Sequence, residues 1–412
     1  MYSNNTVLKN KAIKLFISLT TFAVLVSCSK ITPQAPAADS VMDAPLDGLN
    51  SSQVLSFNRG AAVFDKVYNS ENGLGPIFVA PACGNCHSAD NRGHFDLILT
   101  RFGQSDSSGN LYLNQGAPQI QNRALPGHTP EQLPAMAVSS KFIAPIVSGS
   151  GFLELVSDAD ILAMSDPDDN NGDGISGVPN WNKLPDYETP IPGAISRNGK
   201  YICRFGRKAS TYNLYQQSVQ AFNQDMGVTS QALPLNPGVT NDAGSGTRPS
   251  DPEVSEKEIN DLVFYLQALQ TPLQRNQSDA QVLRGKELFV TAGCEACHKS
   301  SLKTGYSPVD ALSNKEFHPY TDLLLHNMGA GLNDGYTEGS ALPSEWRTTP
   351  LWGLGLASDA QGGKYFLLHD GRAASIEEAI ELHGGEAQKS RDAYIQFSQA
   401  DKETLIKFLK SL

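Results

Sequence analysis

Two five-residue runs constrain this chain more than any other feature: Cys83-Gly84-Asn85-Cys86-His87 and Cys294-Glu295-Ala296-Cys297-His298. A C-x-x-C-H run sets two thiols about one turn apart with an imidazole beside them. That spacing suits c-type haem attachment, in which the thiols add across the two vinyl groups of one porphyrin and the histidine ligates its iron. A thioredoxin-like dithiol has no use for the histidine, and a zinc ribbon does not need it after both pairs. The sequence therefore predicts two covalent c-type haems. Cys83, Cys86, Cys294 and Cys297 would be the thioethers, and His87 and His298 the proximal ligands.

Two of the six cysteines remain, Cys28 and Cys203. Lys9, Lys11 and Lys14 precede an apolar run, Leu15 to Val26, that is too short to span a bilayer. It ends in Leu25-Val26-Ser27-Cys28, which resembles a bacterial lipobox. Residues 1–27 read as a cleaved leader and Cys28 as the acylated first residue of the mature chain. The uncharged Ser29 points to the outer membrane, facing the periplasm, with membrane contact through the lipid alone. Residues 28–54, rich in Ala, Pro, Ser and Asp, read as a flexible tether. Cys203 is then left alone and reads as a small buried apolar residue. No cysteine pair remains to cycle between dithiol and disulfide, so disulfide reductase activity is not expected.

Charge narrows the partners. The formal net charge is −11, and loss of the three leader lysines takes it to −14. Nucleic acid is excluded as a partner, because its phosphates demand a basic footprint. A basic redox protein steered by opposite charge, or a small electron donor, is compatible.

The surroundings of the two motifs repeat in order. Arg59-Gly60-Ala-Ala-Val-Phe64 precedes the first, and Arg284-Gly285-Lys-Glu-Leu-Phe289 the second. Downstream, Gly206-Arg207-Lys208-Ala209-Ser210 parallels Gly371-Arg372-Ala373-Ala374-Ser375, each opening a segment of helical periodicity, 212–223 and 375–383. Each half closes on an amphipathic stripe, Glu256–Gln270 and Ala400–Leu412. The fold expected is mainly α: two cytochrome-c-like haem domains with long irregular loops, the first over 55–272 and the second over 273–412. With 36 glycines and 24 prolines, many irregular connections are expected. One of them, Asp166 to Ile175, sets Asp169, Asn171 and Asp173 at alternate positions before Gly174, as in the first half of a calcium loop. The closing glutamate position holds Asn180, so an ordinary EF-hand is not expected. Calcium binding and a solvated acidic turn both stay open.

The later motifs make a family recognisable. Tyr320-Thr-Asp-Leu-Leu-Leu-His326-Asn-Met328-Gly, Glu345-Trp-Arg-Thr-Thr-Pro-Leu-Trp-Gly-Leu-Gly355, Leu368-His369-Asp370-Gly-Arg-Ala, His383-Gly-Gly-Glu-Ala and Asp225-Met-Gly-Val-Thr-Ser230 occur in order. Together they resemble the di-haem oxidoreductase family labelled thiol oxidoreductase-like, which is related to bacterial di-haem cytochrome c peroxidases. The resemblance implies that the C-terminal haem accepts electrons and the N-terminal haem reduces peroxide. It also implies a distal glutamine and carboxylate, for which Gln217 and Asp225 stand here. A carboxylate there moves a proton between the peroxide oxygens. In those relatives the residue before His-Asp-Gly supplies a sixth iron ligand; here it is Leu368, which cannot ligate. Met328 is the first substitute, with His326 and His369 behind it.

Three functions follow for testing. The leading one is a periplasm-facing di-haem oxidoreductase that reduces peroxide. The others are a non-catalytic di-haem electron-transfer cytochrome and a haem-containing binding or assembly lipoprotein.

Overall fold

Four amphipathic helices cross in two pairs, and a glycine decides how closely each pair approaches. The computed structural model describes residues 43–88, 91–106, 109–236 and 252–412. The leader, Cys28 and most of the tether lie outside the described residues. Helix α1 (Ser51–Phe64) starts on a capping box, the Asn50 side chain accepting from the Gln53 amide while Gln53 accepts from the Asn50 amide. A short α2 (Leu214–Gln220) is capped by Asn213. Helix α3 (Glu256–Ala268) carries a second capping box, Ser255 with Glu258. Helices α4 (Ala280–Thr291) and α5 (Gln399–Ser411) are capped by Asp279 and Ser398.

In the first pair, a Cβ on Gly60 of α1 would lie 2.0 Å from the Asp261 carbonyl oxygen of α3. In the second, a Cβ on Gly285 of α4 would lie 2.4 Å from the Thr404 carbonyl oxygen of α5. Each glycine lets its helix touch the partner's backbone, and each is the second residue of the repeated Arg-Gly run. Arg59 ties the first crossing with a bidentate pair to Asp261 at 2.8 and 2.7 Å.

The apolar core has two main clusters. The larger draws on residues from Leu46 to Trp352, including Phe64, Phe222, Ile259 and Phe317. The smaller gathers Val282, Phe289, Ile376, Leu405, Phe408 and Leu409. Leu302, Leu312, Phe317 and Leu324 therefore follow the second C-x-x-C-H run in sequence yet pack into the larger cluster, while Tyr320 joins the smaller.

The expectation of a mainly α fold is corrected in part. Among the described residues helix accounts for 33%, and strand for 13%. The connections are paired rather than shapeless. Ile98–Gly103 runs antiparallel to Val138–Ile143, and Asn180–Asn182 and Ser196–Arg197 flank Lys200–Cys203. Loops this long, folded back over a core, bury backbone amides that need partners, and short ladders provide them.

Candidate functional site

The first C-x-x-C-H run folds as a single turn, Cys83–Cys86, with the His87 amide donating to the Cys83 carbonyl at 3.0 Å. Cys86 is buried and Cys83 half-buried. Burial, reinforced by the Asp225 carboxylate, pushes both thiols up to about 12. Phe64, which ends the repeated Arg-Gly run, sits 6.0 Å from the His87 ring. Desolvation lowers His87 to about 4, so the ring is neutral, as iron ligation requires. Its buried Nδ1 makes no hydrogen bond of full geometry among the described residues, with the Asn91 and Pro145 backbone close by.

The second run repeats this arrangement. Cys294–Ala296 forms a tight 3₁₀ turn, and the His298 amide donates to the Cys294 carbonyl at 3.0 Å. Phe289 lies 6.3 Å from the His298 ring. His298 Nδ1 is 2.8 Å from the Tyr320 carbonyl oxygen, so it carries the proton and leaves Nε2 as a lone-pair donor. A cavity of about 230 Å³ opens here, with Cys294, Cys297 and His298 in its wall and Phe289, Ile376, Leu405 and Leu409 around them. An apolar chamber holding two thiols and a metal-ready imidazole fits a porphyrin.

Four side chains singled out in the sequence also line that cavity. Met328 and Leu368 both line it. His326 lines it too, but its Nε2 meets Asp322 at 2.8 Å and its Nδ1 meets Glu386 at 2.7 Å, so neither nitrogen is free for a metal. His369 stacks on Trp346, the ring centroids 3.6 Å apart. Sequence reasoning missed His383. It lines the same cavity, and its Nδ1 is 2.6 Å from the Ala379 carbonyl oxygen, leaving Nε2 unprotonated as in His298. The signal was present as the first letter of His383-Gly-Gly-Glu-Ala, but 85 residues separate it from His298 and no local spacing links them.

Asp225 and Gln217 do come together. They line a second, smaller cavity of about 80 Å³ with Arg101, Gln220, Gln224 and Glu338. Helix α2 runs into a π-helical turn over Ala221–Asp225, which adds a residue and turns Asp225 into this space. The Asp225 carbonyl accepts from Val79 and Ala80 at 2.6 and 3.1 Å, binding the turn to the segment that leads from the Ile77–Phe78 strand into the first C-x-x-C-H run. Desolvation raises the Asp225 carboxyl to about 7, with Arg101 opposing. Arg101 is paired with Glu338 and donates to Gln224 at 3.3 Å. Ile143, Ala144 and Arg207 line both cavities.

The acidic loop engages its oxygens internally. Asp169 accepts from the Gly174 amide at 3.1 and 3.2 Å, Asn171 from Asp173 at 2.9 Å, and Asp173 from Ile175 at 2.8 Å. Lys389 donates to the Asp173 carbonyl. Asn180 points away and holds the Lys208 and Glu338 carbonyls. These are the bonds of a chain of side-chain turns. Cys203 is buried at the end of its strand, its thiol pushed up to about 12 by burial.

Comparison with known proteins adds the family. No curated protein matches the sequence. Among solved structures, a MauG-like protein associated with microbial copper homeostasis is 14% identical, over 92% of this chain and 94% of that one, at a TM-score of 0.39. Hydrazine synthase of Kuenenia stuttgartiensis is 13% identical, over 92% of this chain and 96% of that one, at a TM-score of 0.35. Likeness this slight carries no functional argument. The family match is of another order: a sequence profile described as "Di-haem oxidoreductase, putative peroxidase" covers residues 136–412, and the chain belongs to that di-haem oxidoreductase family.

Proposed function

We propose that this protein reduces hydrogen peroxide to water beside its first C-x-x-C-H run, drawing electrons through a haem held at the second. The observation that carries the reading is Asp225. It is a carboxyl poised near neutrality, turned by a π-helical segment into a small cavity and near enough for its charge to act on the Cys83 and Cys86 thiols. The family match begins after that first run, so a haem there rests on the motif and its geometry. Haem bound at each site would supply one-electron redox chemistry and a Lewis-acidic iron.

The residues do the rest. The overall change is one peroxide, two electrons and two protons giving two waters, the electrons coming from a reduced redox protein or small donor. Ionised Asp225 takes the proton from one peroxide oxygen and returns it to the other, so the departing oxygen leaves as neutral water. The Gln217 amide orients the peroxide, and the Arg101 guanidinium opposes the charge that develops as the O–O bond breaks. In the second cavity His383, rather than Met328, would join His298 in holding the haem, because its ring is already held by Ala379 with Nε2 open. Two imidazoles on one iron would close that haem to substrate and suit it to relay electrons.

The test is peroxide consumption by the holo-protein with a reduced donor. Asp225→Asn is expected to lower kcat about 10²-fold or more with haem content unchanged. A rate equal to wild type would sink the peroxidase reading and leave the electron-transfer cytochrome. A specific observation also favours that second reading in part, the His298–His383 pair facing one cavity.

We further propose export and acylation at Cys28, which would place the protein at the outer membrane. No helix among the described residues is long and apolar enough to cross a membrane. Cys28→Ser should move the protein from the membrane fraction to the soluble periplasm; unchanged fractionation would rule the anchor out.

A further inference from the structure

Glu338 reaches the Asp225 cavity from far along the chain, and the turn that carries it is pinned on both sides. The Thr337 amide and hydroxyl donate to the Gln104 and Ser105 carbonyls, each at 2.8 Å. Glu338 and Ala341 exchange backbone bonds at 3.0 and 3.1 Å. Asn180 spans the turn: its side-chain nitrogen donates to the Glu338 carbonyl at 2.9 Å, and its side-chain oxygen accepts from the Ser340 amide and hydroxyl at 2.8 and 3.0 Å. The buried Glu338 carboxylate therefore has a fixed place, and that place is on the Arg101 guanidinium.

Asp225 and Glu338 line this cavity with two guanidiniums, Arg101 and Arg207. Arg207 is turned to backbone, donating from Nε to the Ile143 carbonyl at 2.8 Å and from Nη2 to the Ala144 carbonyl at 3.3 Å. The Cys83 and Cys86 thiols feel the Asp225 charge, and as thioethers they would carry none of their own. Arg101 is thus the cation that both carboxylates face. Glu338 takes the direct ion pair, and Arg101 reaches on from Nη1 to Gln224 at 3.3 Å. On Asp225 it acts through its charge and not through a hydrogen bond.

That division matters chemically. A carboxylate locked to a guanidinium is a weak base, because the ion pair favours the charged form. A buried guanidinium robbed of its partner is costly, and takes the nearest carboxylate instead. We propose that Glu338 is a positioning residue for the proton transfer: it holds Arg101 back from Asp225, so that the Asp225 carboxylate stays unpaired and free to take up a proton. The inference rests on the reading of Asp225 as the proton carrier.

The experiment titrates Asp225 directly in the full-length holo-protein, by infrared difference spectroscopy of its carboxyl stretch, assigned through Asp225→Asn. The wild-type midpoint is expected at about 7. Glu338→Gln removes a negative charge and releases Arg101 to pair with Asp225. Both effects favour the ionised form, so the midpoint should fall by about one pH unit or more. Arg101→Gln should raise it. With Arg101 already replaced by Gln, adding Glu338→Gln should lower the midpoint by less than it does alone, because Glu338 then has no cation to hold. A Glu338→Gln midpoint at or above the wild-type value overturns the proposal, as does an equal fall in the absence of Arg101. Lost stability with an unmoved midpoint would mark Glu338 as merely structural. If Glu338→Gln does not fold, Glu338→Asp decides: the shorter side chain slackens the pair, and a midpoint that does not fall overturns the proposal. Peroxide consumption is followed on the same samples. A wild-type protein that titrates as expected but leaves peroxide untouched would overturn the peroxidase reading and not the placement of Arg101.

Discussion

His298 and His383 each give their Nδ1 proton to a backbone carbonyl, Tyr320 and Ala379, and each therefore turns a free Nε2 toward one cavity. That shared device is a better guide to ligation than residue type. It favours His383 over Met328 and excludes His326, whose two nitrogens are on carboxylates. Low-temperature electron paramagnetic resonance checks it: His383→Ala should introduce a high-spin ferric signal from the second haem, while Met328→Ala leaves the spectrum as it was. The reverse pattern would return the ligand to Met328. Asp225 gives the matching prediction for the first site. Its carboxyl acts as a base only when ionised, and burial raises it from 3.8 to about 7. Peroxide turnover should therefore climb as pH rises through about 7, and Asp225→Asn should flatten the climb; a wild-type rate indifferent to pH between 6 and 8, as roughly expected of a fixed charge state, would remove Asp225 from the chemistry. The two C-x-x-C-H runs were legible because c-type haem attachment sets two thiols and an imidazole side by side in sequence. His383 and Arg101 were not, since they reach their cavities through tertiary folding that no local spacing encodes.

Among the elements, the repeated Arg-Gly-x-x-x-Phe run shows how one short pattern serves twice. Its glycine permits the close crossing of α1 on α3 and of α4 on α5, and its phenylalanine ring lies 6.0 Å from His87 in one copy and 6.3 Å from His298 in the other. Alanine in a helix interior is ordinarily better than glycine by up to ~1 kcal/mol. Here the sign should reverse. Gly60→Ala or Gly285→Ala would drive a methyl into a carbonyl oxygen and cost about 1–3 kcal/mol, read from the denaturant midpoint. A midpoint that rises would show that the crossings relax freely and that the repeated glycine has no packing role. Helices α3 and α5 were readable from their apolar stripes, while α1 and α4 showed only as the repeated Arg-Gly run, and the first turn of α1 fell within the segment read as a tether. The strands were not readable, because ladders of two or three residues have no period to detect. The segment 212–223 shows the intermediate case. Its helical periodicity is real through Gln220, but the π-helical turn that follows depends on how Asp225 docks against Val79 and Ala80.

At the scale of the whole molecule, sequence order and spatial order part company. Trp352 and Phe317 lie beyond the second C-x-x-C-H run yet pack into the core built mainly from the first half, and Ile143 and Arg207 stand between the two cavities. Interleaving of this kind is set by the total apolar surface to be covered, which a reading of local patterns does not integrate. Net charge is different, because it needs no coordinates. With the leader removed the chain stands at −14, so a basic donor should be drawn toward it from solution. Stopped-flow reduction of the ferric holo-protein by a basic cytochrome should therefore slow by roughly tenfold as salt rises from ~0.01 to ~0.1 M, the range over which the screening length falls from about 30 to about 10 Å. An acidic donor of similar potential should speed up over the same range as repulsion is screened. If both donors respond alike, long-range charge does not choose the partner, and the docking face must be selected by short-range contacts.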